Sequence, residues 1–148
     1  MVDLFGVTHS VSKGVATPIF SISQNTFGTL TARIAVFTVE LFMWDSATSG
    51  TQYGYSGHLQ RYSVFITNNT SGAPQVSITA ESAGTSMGLD IAFQAPGNVT
   101  LSAAVVSDII TFSANWPGAG TGAGGMSVQD VAYILRGAGA NPFTLNRM

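Results

Sequence analysis

The chain has 148 residues, with five lysines or arginines and seven carboxylates, for a net charge of −2. Its apolar fraction of 45% suits one folded domain, but its charged fraction of 8% falls far below the roughly 25% of a typical soluble domain. The five scattered basic residues argue against nucleic acid as a partner, zero cysteines exclude disulfides and thiolate metal sites, and no apolar run is long enough for a bilayer-spanning helix.

Residues 1–28 mix Gly, Ser and Thr with isolated apolar groups (Leu4, Phe5, Ile19, Phe20, Ile22). They are expected to form one or two short strands or an arm lying on a neighbour, and we assign them as an N-terminal arm. The opening MVDLFGVTHS has Asp3, no basic start and no apolar h-region, so it does not read as a secretory signal. Residues 29–116 are expected to form the body, because the pattern from here has period two.

Residues 30–44 (LTARIAVFTVELFMW) are apolar on both faces from Ile34 onward, apart from Thr38 and Glu40. This reads either as a long central strand covered on both sides, or as a strand whose Phe37, Val39, Leu41 and Met43 lie in a subunit interface. Segment 60–67 points Tyr62, Val64 and Ile66 inward, and segment 75–81 aligns Val76, Ile78 and Ala80. Segments 89–94 and 98–105 alternate likewise, the second through Val99, Leu101, Ala103 and Val105. Segment 109–116 offers Ile110, Phe112, Ala114 and Trp116 to one side. Such alternation marks half-buried antiparallel strands. Turn signals at SATSG (46–50), NNTSGAP (68–74), SAGTSMG (82–88) and APGN (95–98) separate them.

After Trp116 comes a glycine-rich linker, 117–126. Ser127 and Asp130 make an S-x-x-D cap, Met126 and Val131 fit a hydrophobic staple, and Gly137 suits a helix stop. These signals predict a short helix over about 128–136 within a C-terminal piece, 127–148, whose Val131, Ile134 and Leu135 would touch a neighbour.

The linker also spells GxGxxG, from Gly120 to Gly125. A dinucleotide site needs a following strand and an acid roughly 20 residues on, and no acid follows Asp130. The phosphate-binding P-loop fails too, because Met126 stands where lysine must reach the phosphates. In YGYSGH (53–58), Ser56 lies near His58, but the nucleophile elbow needs glycine at 58 and an α/β fold. His9 and His58 are far apart in sequence, and Asp45, Glu81 and Asp90 lack the dense spacing of a calcium loop. Glu40 is expected to pair with Arg33 or Arg61. No cofactor, metal or catalytic residue is expected, and the chain reads as a non-enzyme. Tyr53, Tyr55, His58 and Tyr62 offer aromatic faces and hydroxyls, either filling a sandwich end or joint or stacking on sugar rings.

The stretch 32–116 resembles a recurring β-domain of tailed-bacteriophage virion proteins. The resemblance lies in a long strand ARI…VELFMWDS and a tyrosine-rich return, YGYSGHLQRYSVFITNNTSGAPQVSITAES. A hairpin, LDIAFQAPGNVTLSAAV, and a closing strand, DIITFSANW, complete it. Such modules occur in capsid decoration (cement) proteins and at the ends of tail or head fibres, commonly as trimers. The resemblance implies a structural or adhesive virion part, made in the host cytoplasm, with no catalytic residue to carry over.

Together these readings give an all-β fold, an antiparallel β-sandwich of jelly-roll-like type with an N-terminal arm and a C-terminal helix on a glycine tether. So little charge suits a component whose surface other subunits cover. The expected role is a capsid decoration protein, a homotrimer bound to the major capsid protein or another virion protein. The alternative is a fibre tip binding host glycan through Tyr53 and Tyr55. Neither nucleic acid nor membrane is an expected partner.

Overall fold

The computed structural model describes residues 4–5, 8–12, 14–24, 33–44, 56–68, 74–81, 85–88, 99–107, 109–116, 128–139 and 143–148. These form β1 (Leu4–Phe5), β2 (His9–Ser12), β3 (Thr17–Gln24), β4 (Arg33–Trp44), β5 (Ser56–Asn68) and β6 (Gln75–Ala80). The remaining strands are β7 (Thr85–Gly88), β8 (Thr100–Val106), β9 (Ile109–Asn115), β10 (Val128–Gly139) and β11 (Phe143–Arg147). Every pairing among them is antiparallel. The larger sheet runs β1-β10-β4-β5-β6, with β2 also on β10 and β7 also on β5. The smaller sheet runs β11-β3-β9-β8.

The alternation read from the sequence sets the core between the sheets. Val39, Leu41, Met43, Tyr62, Val64, Ile66, Val131, Tyr133 and Leu135 of the larger sheet are buried. They meet Ile19, Phe20, Ile22, Leu101, Ile110, Phe112 and Ala114 of the smaller one. An aromatic group plugs the centre: the Phe20 ring stacks on Phe112 at 4.6 Å and tilts against Tyr133 at 5.0 Å. Phe37 meets both phenylalanines edge-on, at 6.5 and 5.8 Å. Each such side chain contributes about 1.5–3 kcal/mol by leaving water.

A register shift between Pro18 and Phe20 lets consecutive Ile19 and Phe20 both turn inward, which a regular strand forbids. The chain crosses between sheets at Ser12–Val15, where the Val15 amide donates to the Ser12 carbonyl at 3.1 Å. Gly14 there has φ of 71°, a conformation that disfavours residues with a Cβ. The Tyr62 hydroxyl then ties the layers, donating to the buried Val99 carbonyl at 2.8 Å.

Two expectations are corrected. Residues 128–136, expected as a helix, belong to strand β10, paired with β4 from Asp130↔Trp44 to Gly139↔Ala35. The S-x-x-D cap is a local signal, and a short isolated helix is marginal in water. Val131, Tyr133 and Leu135 inward against Ala132, Ile134 and Arg136 outward give β10 a period of two, and the ladder with β4 decides. The N-terminal segment, expected as one or two short strands or an arm on a neighbour, supplies β1, β2 and β3 to this chain's own sheets, with partners more than 80 residues further along the chain. Hence Trp116 does not end the folded body. Segments 89–94 and 117–127, with Tyr53 and Tyr55, lie outside the described residues.

Candidate functional site

From Val36 to Phe42, β4 turns its even-numbered residues away from the core, and from Leu59 to Thr67, β5 turns its odd-numbered ones away. Val36 lies opposite Phe65, Thr38 opposite Ser63, Glu40 opposite Arg61 and Phe42 opposite Leu59. Next to them, β10 adds Ala132 beside Phe42, Ile134 beside Glu40 and Arg136 beside Thr38. β6 adds Ser77 beside Phe65 and Thr79 beside Ser63. Burying apolar groups is the default, yet Val36, Phe42, Leu59 and Phe65 are 50%, 46%, 41% and 43% exposed. They form two apolar rows with a polar band between them.

Charge fills that band. Arg61 Nη2 donates to Glu40 Oε1 at 2.8 Å, and Arg61 Nε lies 3.7 Å from Glu81 Oε2. Ser63 Oγ donates to Glu81 Oε1 at 2.6 Å, and the Glu81 amide donates to the Arg61 carbonyl at 3.0 Å. Arg136 Nη1 comes within 4.0 Å of Glu40 Oε1. Glu40 therefore pairs with Arg61, one of the two partners expected for it. Each such surface pair stabilises by only about 0.2–1 kcal/mol, so the network orders charge more than it holds the fold.

Among the described residues expected at partner contacts, all but Ile134 fall elsewhere. Val39, Leu41, Met43, Val131 and Leu135 are buried between the sheets, and Phe37 packs against them. The β4 face expected at a subunit joint thus faces this chain's own core. It shares that side with the inward set of β5, through Phe37↔Val64 and Val39↔Tyr62. Ile134 lies on the outward face. Tyr62 is committed to its inter-sheet hydrogen bond, and burial pushes its pKa up, partly offset by a backbone hydrogen bond from Leu101.

His9 and His58 occupy one cross-strand row, His9↔Val131↔Met43↔His58. Three strand spacings separate their backbones by about 14 Å, too far to share an ion. His9 stacks on Tyr133 at 6.0 Å, and burial lowers its pKa. Among the described residues, no group of three or more His, Cys, Asp or Glu side chains is placed to hold a metal.

No protein-family model matches the chain, and no curated protein matches it. Among solved structures, the tailspike protein of Acinetobacter baumannii phage AM24 is similar over 94% of this chain, at 11% identity and a TM-score of 0.54. The chain spans 27% of that tailspike's length. The tailspike protein of Acinetobacter phage vB_ApiP_P1 aligns over 93% of this chain and 21% of its own, at 13% identity and a TM-score of 0.37. The likeness to the AM24 tailspike is one of fold.

Proposed function

We propose that the chain is a structural module of a tailed-phage virion, seated in a tailspike or fibre assembly that contacts host-surface glycan. The observation that carries this reading is the fold it shares, over nearly its whole length, with about a quarter of the AM24 tailspike. A charged fraction of 8% supports a part whose surface is covered within an assembly. In this role the sandwich is a rigid block that buries neutral surface against neighbouring subunits. Tyr53 and Tyr55 supply aromatic faces for sugar rings, a task from which the inter-sheet hydrogen bond removes Tyr62. The proposal includes no bond cleavage.

The capsid-decoration reading relies on the N-terminal arm and the C-terminal helix each lying on a neighbour. With β1–β3 and β10 woven into this chain's own sheets, it lacks those contacts. Quantitative mass spectrometry of purified virions separates the two. A copy number matching the tail appendages is expected, a lattice-scale copy number would restore the capsid reading, and absence from virions would overturn both.

A further inference from the structure

Four neighbouring strands of the larger sheet carry, in order, Arg136 on β10, Glu40 on β4, Arg61 on β5 and Glu81 just past β6. The signs run plus, minus, plus, minus. Reversing that order inverts every sign. The apolar rows on either side behave in the same way, since each pairs a β4 residue with a β5 residue: Val36 with Phe65, and Phe42 with Leu59.

A surface with this property is complementary to its own rotated copy. We infer that the face binds a second copy of the chain, the two larger sheets stacked about a two-fold axis that runs parallel to the strands between β4 and β5. This operation lays β4 over the partner's β5 and β10 over the partner's β6, without a shift along the strands. Glu40 then meets the partner's Arg61, while Arg136 lies over the partner's Thr79, one row from its Glu81. Val36 meets the partner's Phe65, and Phe42 meets the partner's Leu59. The central Glu40–Arg61 pair opposes its opposite, and both apolar rows oppose apolar rows.

Other symmetries do worse. A two-fold axis across the strands at the Glu40–Arg61 row opposes like charges. A three-fold arrangement sets the patch against a different surface, because only a two-fold contact is isologous. The arginines are suited to bridging, with side chains 49% and 55% exposed at Arg61 and Arg136, while Glu40 lies beneath them at 14%. A guanidinium has five donors, more than its neighbours in this chain use. From strand spacing and rise, the patch measures about 19 by 20 Å. Over both copies that is about 760 Å², below the size of a stable interface, so the isolated chain is expected to self-associate weakly, in about the high-micromolar range. The contact is independent of whether the chain sits in a tailspike or on a capsid.

Sedimentation velocity across a concentration series tests it, with wild type, Glu40→Arg, Arg61→Glu and an equimolar mixture of the two variants. In each variant alone, positions 40 and 61 of opposing copies carry the same sign, and self-association is expected to weaken at least about 10-fold. In the mixture, Arg at 40 of one chain meets Glu at 61 of the other, every pairing becomes opposite again, and dimers return. Val36→Ser with Phe65→Ser, at exposed positions that leave the core intact, is expected to weaken association as well, with unchanged circular dichroism. The inference is overturned by a wild type monomeric at its highest soluble concentration or by an oligomer indifferent to all three changes. A mixture as dissociated as its parts overturns it too.

Discussion

The two outward faces of the sandwich are built on different principles. On the smaller sheet, short polar groups satisfy their own chain: Thr100 Oγ1 donates to the Asn115 carbonyl at 3.3 Å, and Asn146 Nδ2 to Ser23 Oγ at 2.7 Å. Its exposed large apolar groups, Val106 and Ile109, oppose each other at the β8–β9 hairpin end. On the larger sheet, bulky apolar groups stand on both sides of an alternating charge band and project beyond the hydroxyls around them. One face directs side-chain polar groups to its own chain. The other has the composition of a surface made to be covered.

The contrast exists only while the two layers are locked, so the largest effect lies between them. Phe20→Ala empties the centre of the aromatic plug and is expected to destabilise the fold by about 3–5 kcal/mol in urea denaturation. Tyr62→Phe removes the inter-sheet hydrogen bond and leaves the Val99 carbonyl buried without its donor. It is expected to lower stability by about 1–3 kcal/mol while leaving self-association unchanged, since the residue lies on the inner side.

Acid sharpens the same division from within. Because burial holds the His9 imidazole below its ordinary value of 6.5, the unfolded chain binds more protons than the folded one just below that pH. Stability is intact above about pH 6.5 and declines as pH falls beneath it. Thermal melts between pH 7 and 5 should show this decline, flattened in His9→Gln. The smallest effect belongs to the outward face of the smaller sheet. Ser102→Ala removes a long hydroxyl contact with the Ser113 carbonyl and is expected to change stability by no more than about 0.5 kcal/mol, with no change in association.

Much of this body was legible in the sequence where side chains alternate. The inward sets of β5 and β9 and the buried Val99 and Leu101 could be read from period two alone, because one buried face imposes it. The Glu40–Arg61 pair was legible because a lone strand carboxylate needs a cation nearby. β4 was harder. With apolar groups on both sides, it carried no mark of which side was inner, although pairing it with the clearly patterned β5 would have decided. The strand character of β10 and the integration of β1–β3 were hidden for another reason. Their partners are remote, as in Leu4↔Leu135 and Phe143↔Gln24, while the cap at Ser127 and the glycines before it were local and misleading.

The most direct test of the larger sheet as a contact face uses the chain's lack of cysteine. Phe42→Cys, Leu59→Cys and, on the opposite face, Ser102→Cys each introduce one thiol for a short thiol-reactive cross-linker. An equimolar mixture of the Phe42→Cys and Leu59→Cys chains is expected to cross-link into dimers faster than either alone, with Ser102→Cys remaining monomeric. Equal or faster cross-linking through Ser102→Cys would contradict the assignment of the contact face to the larger sheet.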